Sequence, residues 1–403
     1  MRLRIVCCLL FNLVIVVLCL PPGTPVLAQN STELKLRTEQ VIPFEYTVPT
    51  EQPEAPKSPI TGLIDRQHTA WADHDAGKPE FTLANVSQFP GIFGGIVINS
   101  SWNTIQPTRN GPLDFSFIDD ALAQVRTYNA KCPATPLAVK LRIWSGANAP
   151  DWAKKIDGGP VTISRNPAGC NPSPCPLTLG KFWTAPYAAA WQKFQALVAA
   201  KYDIEPLIRQ VAVTSCTQQT DEPFVPTVDA DSKATLIAAG YTDVAQQNCL
   251  MGAISDYSAW KRTLIDFSFN VFSRIKGGTD PTFTMKVMNA CRESLGNRCV
   301  LDNQALNVPL YQADMAVYQS MQTLGQPIQL QTAGVKAMNC QWTAVIAQGV
   351  QLGAAGIEIW PELQYHGFDN LTFAEMQQLA TEFTTPITVP TIIPNTSACP
   401  EFH

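Results

Sequence analysis

From residue 59 onward, short apolar runs alternate with longer stretches whose apolar positions recur every three or four residues. The short runs predict strands over 61–65, 95–101, 137–144, 208–216, 283–289, 299–303, 327–332 and 356–360. The longer stretches predict helices. Ile254, Tyr257, Trp260, Leu264, Phe267, Val271 and Ile275 hold one helical face, as do Ile118, Leu122 and Val125, and Trp342, Val345, Ile346 and Val350. A last helix opens on Thr372 and Glu375, spaced as a capping box, and carries Phe373, Met376, Leu379 and Phe383.

Alternating strands and helices in this number predict an α/β chain, a (β/α)8 TIM barrel forming a single catalytic domain. A doubly wound sheet is the competing architecture. It calls for a glycine-rich phosphate loop after the first strand, and Thr61-Gly62-Leu63-Ile64-Asp65-Arg66 fits neither GxGxxG nor the P-loop. Residues 158–180 read as an insertion after the third strand. The domain plan is a secretory signal over 1–28, a Pro/Thr-rich linker over 29–58, the barrel over 59–388 and a tail over 389–403. Arg2 and Arg4 precede an apolar run from Ile5 to Leu20, and Val26-Leu27-Ala28 fits a cleavage site. A retained anchor is the alternative, but the run is shorter than the ~20 residues of a spanning helix.

Of 403 residues, 46% are hydrophobic and 15% charged, with a formal net charge of −5, which fits a large globular core. No concentrated Lys/Arg run points to nucleic acid. Twelve cysteines include three in the signal segment, leaving nine for an exported chain to oxidise. Spacing suggests the pairs Cys170–Cys175, Cys291–Cys299 and Cys216–Cys249, with at least one thiol left over. A zinc site is disfavoured by the lack of CxxC pairs and by only four histidines. Sequons at Asn30, Asn85, Asn99, Asn370 and Asn395 matter only in a host that glycosylates exported proteins.

The candidate chemistry sits in Thr-Asp-Glu-Pro-Phe, residues 220–224, just beyond the fourth predicted strand. The C-terminal ends of barrel strands carry active sites, and a carboxylic acid there is a general acid/base candidate. An acidic turn capping the next helix is the plainer reading. Three further segments stand in a matching order: Gly-Ile-Val-Ile-Asn-Ser-Ser-Trp-Asn-Thr-Ile-Gln-Pro with Gly-Pro-Leu-Asp-Phe after it, Arg-Ile-Trp-Ser-Gly-Ala-Asn-Ala-Pro-Asp-Trp, and Gln-Pro-Ile-Gln-Leu-Gln-Thr-Ala-Gly. Together these resemble the clan of (β/α)8 glycoside hydrolases that use two carboxylates, the β-galactosidase/cellulase-like superfamily, over roughly residues 59–385.

The resemblance implies Glu222 as the general acid/base, with Asp221 where the clan has Asn. Gln106 stands where a Glu is common. The clan's nucleophile position, at the end of strand seven, holds Gln331, and an amide forms no glycosyl ester. Strand eight offers Glu358 as nucleophile or base, sharing its face with Trp360 by alternation. A one-strand shift in the count would make Glu358 the ordinary strand-seven nucleophile, and Glu293 is the fallback. Retention against inversion stays open, because it depends on the carboxylate separation.

Asp65, His68, Trp102, Arg142, Trp144, Asp221, Asn289, Gln331, Trp360 and Tyr365 are the candidate substrate contacts. The implied activity is that of an exported O-glycoside hydrolase acting on an oligosaccharide or glycoconjugate. It needs no metal or organic cofactor, and no nucleic-acid partner or membrane contact beyond the signal segment. The departures at Gln331 and Asp221 motivate an alternative, a catalytically inactive barrel that binds glycan or a protein partner.

Overall fold

The computed structural model describes residues 55–67, 80–164, 176–218, 220–222, 229–338, 340–361 and 367–384. Eight parallel strands close into a barrel: β1 Gly62–Asp65, β2 Phe93–Ser101, β3 Ala138–Trp144, β4 Ile208–Ala212, β5 Leu264–Ser268, β6 Cys299–Leu306, β7 Ile328–Thr332 and β8 Gly356–Ile359. Each pairs with its sequence neighbours, and β1 closes the ring by pairing with both β2 and β8. Helices follow the strands: α1 Ala84–Gln88, α2 Ser116–Lys131, α3 Ala185–Tyr202, α4 Asp243–Asp256, α5 Pro281–Leu295, α6 Met315–Leu324, α7 Trp342–Gln351 and α8 Phe373–Thr381. The fold is a (β/α)8 barrel.

One strand–helix unit departs from the sequence expectation. The predicted strand over 283–289 is the body of α5, and the true fifth strand lies inside the segment expected to be helical. The apolar spacing from Ile254 to Ile275 is broken because α4 ends at Asp256 and the chain turns before Leu264. The Asp203 carboxylate holds that turn, accepting from the backbone N–H of Lys261, Arg262 and Thr263 at 2.8–3.1 Å. At α5 the start signals outweigh the alternating pattern. Asp280 caps the helix by accepting from the Phe283 N–H, and Pro281 takes the first position, where its missing N–H costs nothing. The two differences cancel in the count, so β4, β7 and β8 fall at the places expected from the strand pattern.

Alternation along the strands sorts two interiors. Val139, Leu141, Ile143, Ile265, Phe267, Leu330 and Ile357 join the main core beneath the helices. The opposite faces point down the barrel axis, where Ile60, Ile64, Val97 and Ala138 form a small separate apolar cluster. Beyond it the barrel interior turns polar, with Lys140, Arg142, Asp266, Asp302, Gln329 and Glu358 all buried.

Residues outside the barrel proper add closures. Lys57, in the stretch expected to be linker, donates its ammonium to the carbonyls of Glu205 and Ile208 and to Thr263 Oγ1 at 2.7–2.8 Å. Burial lowers its pKa to about 8. The expected insertion after β3 contains an antiparallel pair, Val161–Ser164 with Pro176–Leu179. Disulfides join Cys216 to Cys249 and Cys291 to Cys299, as the spacing suggested, and Cys132 is a free thiol. The Cys170–Cys175 pair lies outside the described residues, as do the signal segment and most of the linker and tail. The capping box at Thr372 and Glu375 is present. No described helix is long and apolar enough to cross a membrane.

Candidate active site

The loop leaving β4 is tied down at nearly every residue before it reaches the acidic pair. Val213 N–H donates to Asp266 O at 2.8 Å, and Thr214 N–H to the Tyr257 hydroxyl at 3.0 Å. The Thr214 hydroxyl bonds Ile143 O on β3, and Thr217 Oγ1 donates back to Thr214 O at 2.7 Å. Cys216 is pinned twice, by its disulfide to α4 and by Gln246 Nε2 on its carbonyl at 2.5 Å. Such a loop can hold a side chain in place without help from substrate.

Gly146, after β3, sets the neighbouring wall. Its φ of +53° is left-handed, and an added Cβ would sit 2.2 Å from Gln218 O, which also accepts from Ala147 N–H at 2.9 Å. Gly146→Ala is therefore expected to cost more than ~1 kcal/mol of stability and to displace the 217–222 loop. Urea unfolding measures the first effect; a fall in ligand affinity or turnover at unchanged fold measures the second.

Asp221 is buried and meets Arg142 Nε at 2.6 Å. Glu222 beside it is only half-buried. Its Oε1 accepts from Asn270 Nδ2 at 2.9 Å, and Thr220 Oγ1 lies 3.3 Å from Oε2. Asn270 cannot turn over, because its Oδ1 accepts from Ser268 Oγ at 3.0 Å and from Gln304 N–H at 2.7 Å. Burial, and then the charge of Asp221, push the Glu222 carboxyl up to about 7, against the opposing pull of Thr220 and Arg66. A carboxyl with that proton affinity at a barrel mouth both gives and takes a proton near neutrality.

Glu358 stands deeper. Strand alternation does turn it inward, and it is 0% exposed. Lys140 Nζ lies 2.5 Å from its Oε1, and Arg142 Nη2 lies 2.9 Å from its Oε2. Burial alone would raise its pKa; Arg142 and Lys140 outweigh burial and hold it down at about 2. Lys140 also meets Asp266 at 2.6 Å and Gln329 Oε1 at 3.2 Å. Burial lifts Asp266 to about 6 and Asp302 well above the usual carboxylate range. Arg142 thus bridges two anions, Glu358 below and Asp221 above, and links the charged barrel interior to the loop that presents Glu222.

Gln331 occupies the end of β7, in register with Glu358. Its Oε1 accepts from Arg66 Nε at 2.9 Å, and the Arg66 guanidinium stacks 3.5 Å from the centre of the Trp360 ring. Trp360 is half-buried and donates Nε1 to Thr332 O at 2.8 Å, so one of its faces already has a partner. Trp144 is buried, with Arg142 5.5 Å from its ring centre. Asp65 is buried, bonded by Gln67 and Asn85, and pushed up by burial to about 7.

Three expectations are corrected. Trp102 is no sugar platform: it is 0% exposed and packed edge-on against Trp152, Tyr187 and Trp191 and face-on to Phe194. Asn289 and the fallback Glu293 sit on exposed turns of α5, because the segment is helix rather than strand. Two sequons are structural. Asn85 reaches the Asp65 carboxylate and buried Asn99 donates to Arg66 O, whereas Asn370 is exposed. His68 and Tyr365 lie outside the described residues.

No protein-family model matches the chain, and no curated protein matches it. Solved structures do. An endo-β-1,4-glucanase from Xanthomonas axonopodis pv. citri has a TM-score of 0.45 at 13% identity, over 79% of this chain and 99% of that one. An endo-β-1,4-xylanase from Gloeophyllum trabeum has a TM-score of 0.46 at 12% identity, over 74% and 84%. A β-galactosidase from Rahnella sp. R3 has 0.49 at 12% identity, over 82% and 57%. All three are glycoside hydrolases.

The sequence reading missed Lys140, Asp266, Asp302, Asn270 and Gln304. Lys140 was within reach, since it shares the inward face of β3 with Arg142. Asp266 and Asn270 were hidden by the misassigned helix.

Proposed function

We propose that this chain is an exported glycoside hydrolase cleaving O-glycosidic bonds of an oligosaccharide or glycoconjugate, with Glu222 as its general acid/base. One observation carries the reading: in the loop after β4 a locked Asn270 orients a half-buried carboxyl, Glu222, whose burial and Asp221 neighbour push it up to about 7. Protonated Glu222 donates to the glycosidic oxygen; the bond from that oxygen to the anomeric carbon breaks with its electron pair passing to the leaving alcohol. The anomeric carbon gains oxocarbenium character, a water bonds to it, and the proton which that water sheds returns the Glu222 carboxylate to its acid form. Gln331 offers no carboxylate for a glycosyl ester. Glu358 enters as the anion that fixes Arg142, and through it Asp221. The apolar N-terminal run and the disulfides Cys216–Cys249 and Cys291–Cys299 support export.

A second reading, a barrel that binds saccharide without cleaving it, is favoured by one specific arrangement. Both groups on the strands expected to supply the second carboxylate are engaged, Gln331 by Arg66 and Glu358 by Lys140 and Arg142. A panel of aryl glycosides separates the two. Turnover by the wild type that disappears in Glu222→Gln supports hydrolysis; a wild type inert across the panel that still binds oligosaccharide supports the second reading. Gln331→Glu sharpens the test by placing a carboxylate beside Arg66. In an inert barrel it is expected to create slow turnover, and the anomer released first, read by proton NMR, is expected to be the retained one.

A further inference from the structure

We infer that a groove on the flank of the barrel, apart from the Glu222 loop, binds an acidic saccharide. The groove has a volume of ≈ 470 Å³ and lies between the loop after β2, the loop after β3 and the first turns of α3. That size is in the range of small-ligand sites, roughly 300–1,000 Å³.

Its floor is apolar. Trp152, Ile156, Pro186, Ala189, Ala190 and Phe194 line it, the two alanines leaving room that larger side chains on α3 would fill. Trp152 is half-buried and rigidly placed: its Nε1 donates to Gln106 O at 3.0 Å, and its ring meets Trp102 edge-to-face at 5.3 Å. A fixed indole with an accessible part is a platform for the C–H face of a pyranose.

The rim is polar and cationic. Gln106, Arg109, Asn110 and Lys193 complete the lining, which contains no Asp or Glu. Gln106 is only 8% exposed. Its Oε1 accepts from Trp102 Nε1 at 3.0 Å, and its amide NH2 has no hydrogen-bond partner among the described residues. A turn closed by Gly111 N–H on Thr108 O at 3.1 Å, with Asn110 at φ +60°, presents Arg109 and Asn110 at its tip. Arg109 and Lys193 are exposed, and neither forms a salt bridge among the described residues. Two cations without a carboxylate partner among the described residues, Arg109 with its guanidinium 5.9 Å from the Trp152 ring centre and Lys193 beside it, stand over an aromatic floor with side-chain amides near them and match a sugar ring bearing a carboxylate or sulfate.

The inference shares with the proposed function the premise that this barrel handles saccharides, but it does not use Glu222. Isothermal titration of the full chain with tetragalacturonate (carboxylate only) and with a κ-carrageenan tetrasaccharide (sulfate only) tells which anion is taken. Binding of either is expected. It should weaken at least tenfold in the Arg109→Gln/Lys193→Gln double variant, whose changes are exposed, and in Ala189→Trp, which fills the floor. Binding should persist in Glu222→Gln. Failure to bind either probe, equal affinity for neutral cellotetraose, full competition by inorganic phosphate, or indifference to the double variant would each overturn the inference. Turnover of neutral aryl glycosides is a separate readout, so loss of one result leaves the other standing.

Discussion

Replacing Glu222 by Gln should leave the protein folded and lower turnover by about 10²–10⁴-fold, the usual contribution of a positioned general acid. The loss should depend on the leaving group. An aryl glycoside with a strongly acidic phenol needs little protonation as its bond breaks, so it should suffer least; an alkyl glycoside should suffer most. A rate loss equal across leaving groups would point to disturbed binding instead. The pH profile is the second check. With its carboxyl pushed up to about 7, Glu222 carries its proton below that pH and loses it above. The wild-type kcat/KM should therefore fall as pH rises through 7, and the fall should vanish in Glu222→Gln. Stability gives a third check with a defined sign. A carboxyl whose folded pKa is raised makes the folded state bind more protons than the unfolded one between about 4.5 and 7, so wild-type stability declines across that window. The Gln variant should gain on the wild type at pH 8 and not at pH 4.

Glu358→Gln should instead be a folding defect. Removing its charge leaves Lys140 and Arg142 facing each other at zero exposure with one fewer anion to share. Breaking one side of a buried ion pair costs about 3–5 kcal/mol, because the remaining charge is left uncompensated. The denaturant midpoint should drop accordingly. Lys140→Met in the same chain should deepen the loss, since Asp266 then loses its partner at 2.6 Å as well. A nucleophile would behave otherwise: the single variant would keep its midpoint and lose only turnover. The pair of measurements therefore separates an electrostatic brace from a reacting group, whatever the substrate proves to be.

The sequence carried the architecture further than the site. Period-two runs such as Ala138–Trp144 have buried residues on both faces, yet their alternation still marks which side chains point down the axis. It marked Glu358 correctly as inward-facing. What it does not encode is depth along the axis, or the partner waiting there. Arg142 and Lys140 lie some two hundred positions earlier, and only closure of the barrel brings them to Glu358. Asn270, which aims Glu222, was lost for a different reason. Seven apolar residues from Ile254 to Ile275 happen to follow helical spacing, and nothing local reveals that Asp203, a residue of the preceding strand–helix unit, bends the chain between them. Asp221 and Glu222 were readable because the motif and the strand before it are contiguous.

Lys57 bears on where this barrel can be cut. Its ammonium ties the backbone entering β4 to a residue at the start of β5, at the end of the barrel opposite Glu222. A fragment begun at residue 59, where the strand pattern opens, would keep every described strand and helix and still lose that clasp. Three buried or half-buried oxygens would then have to find water. A designer grafting this scaffold should therefore carry the lead-in along with it.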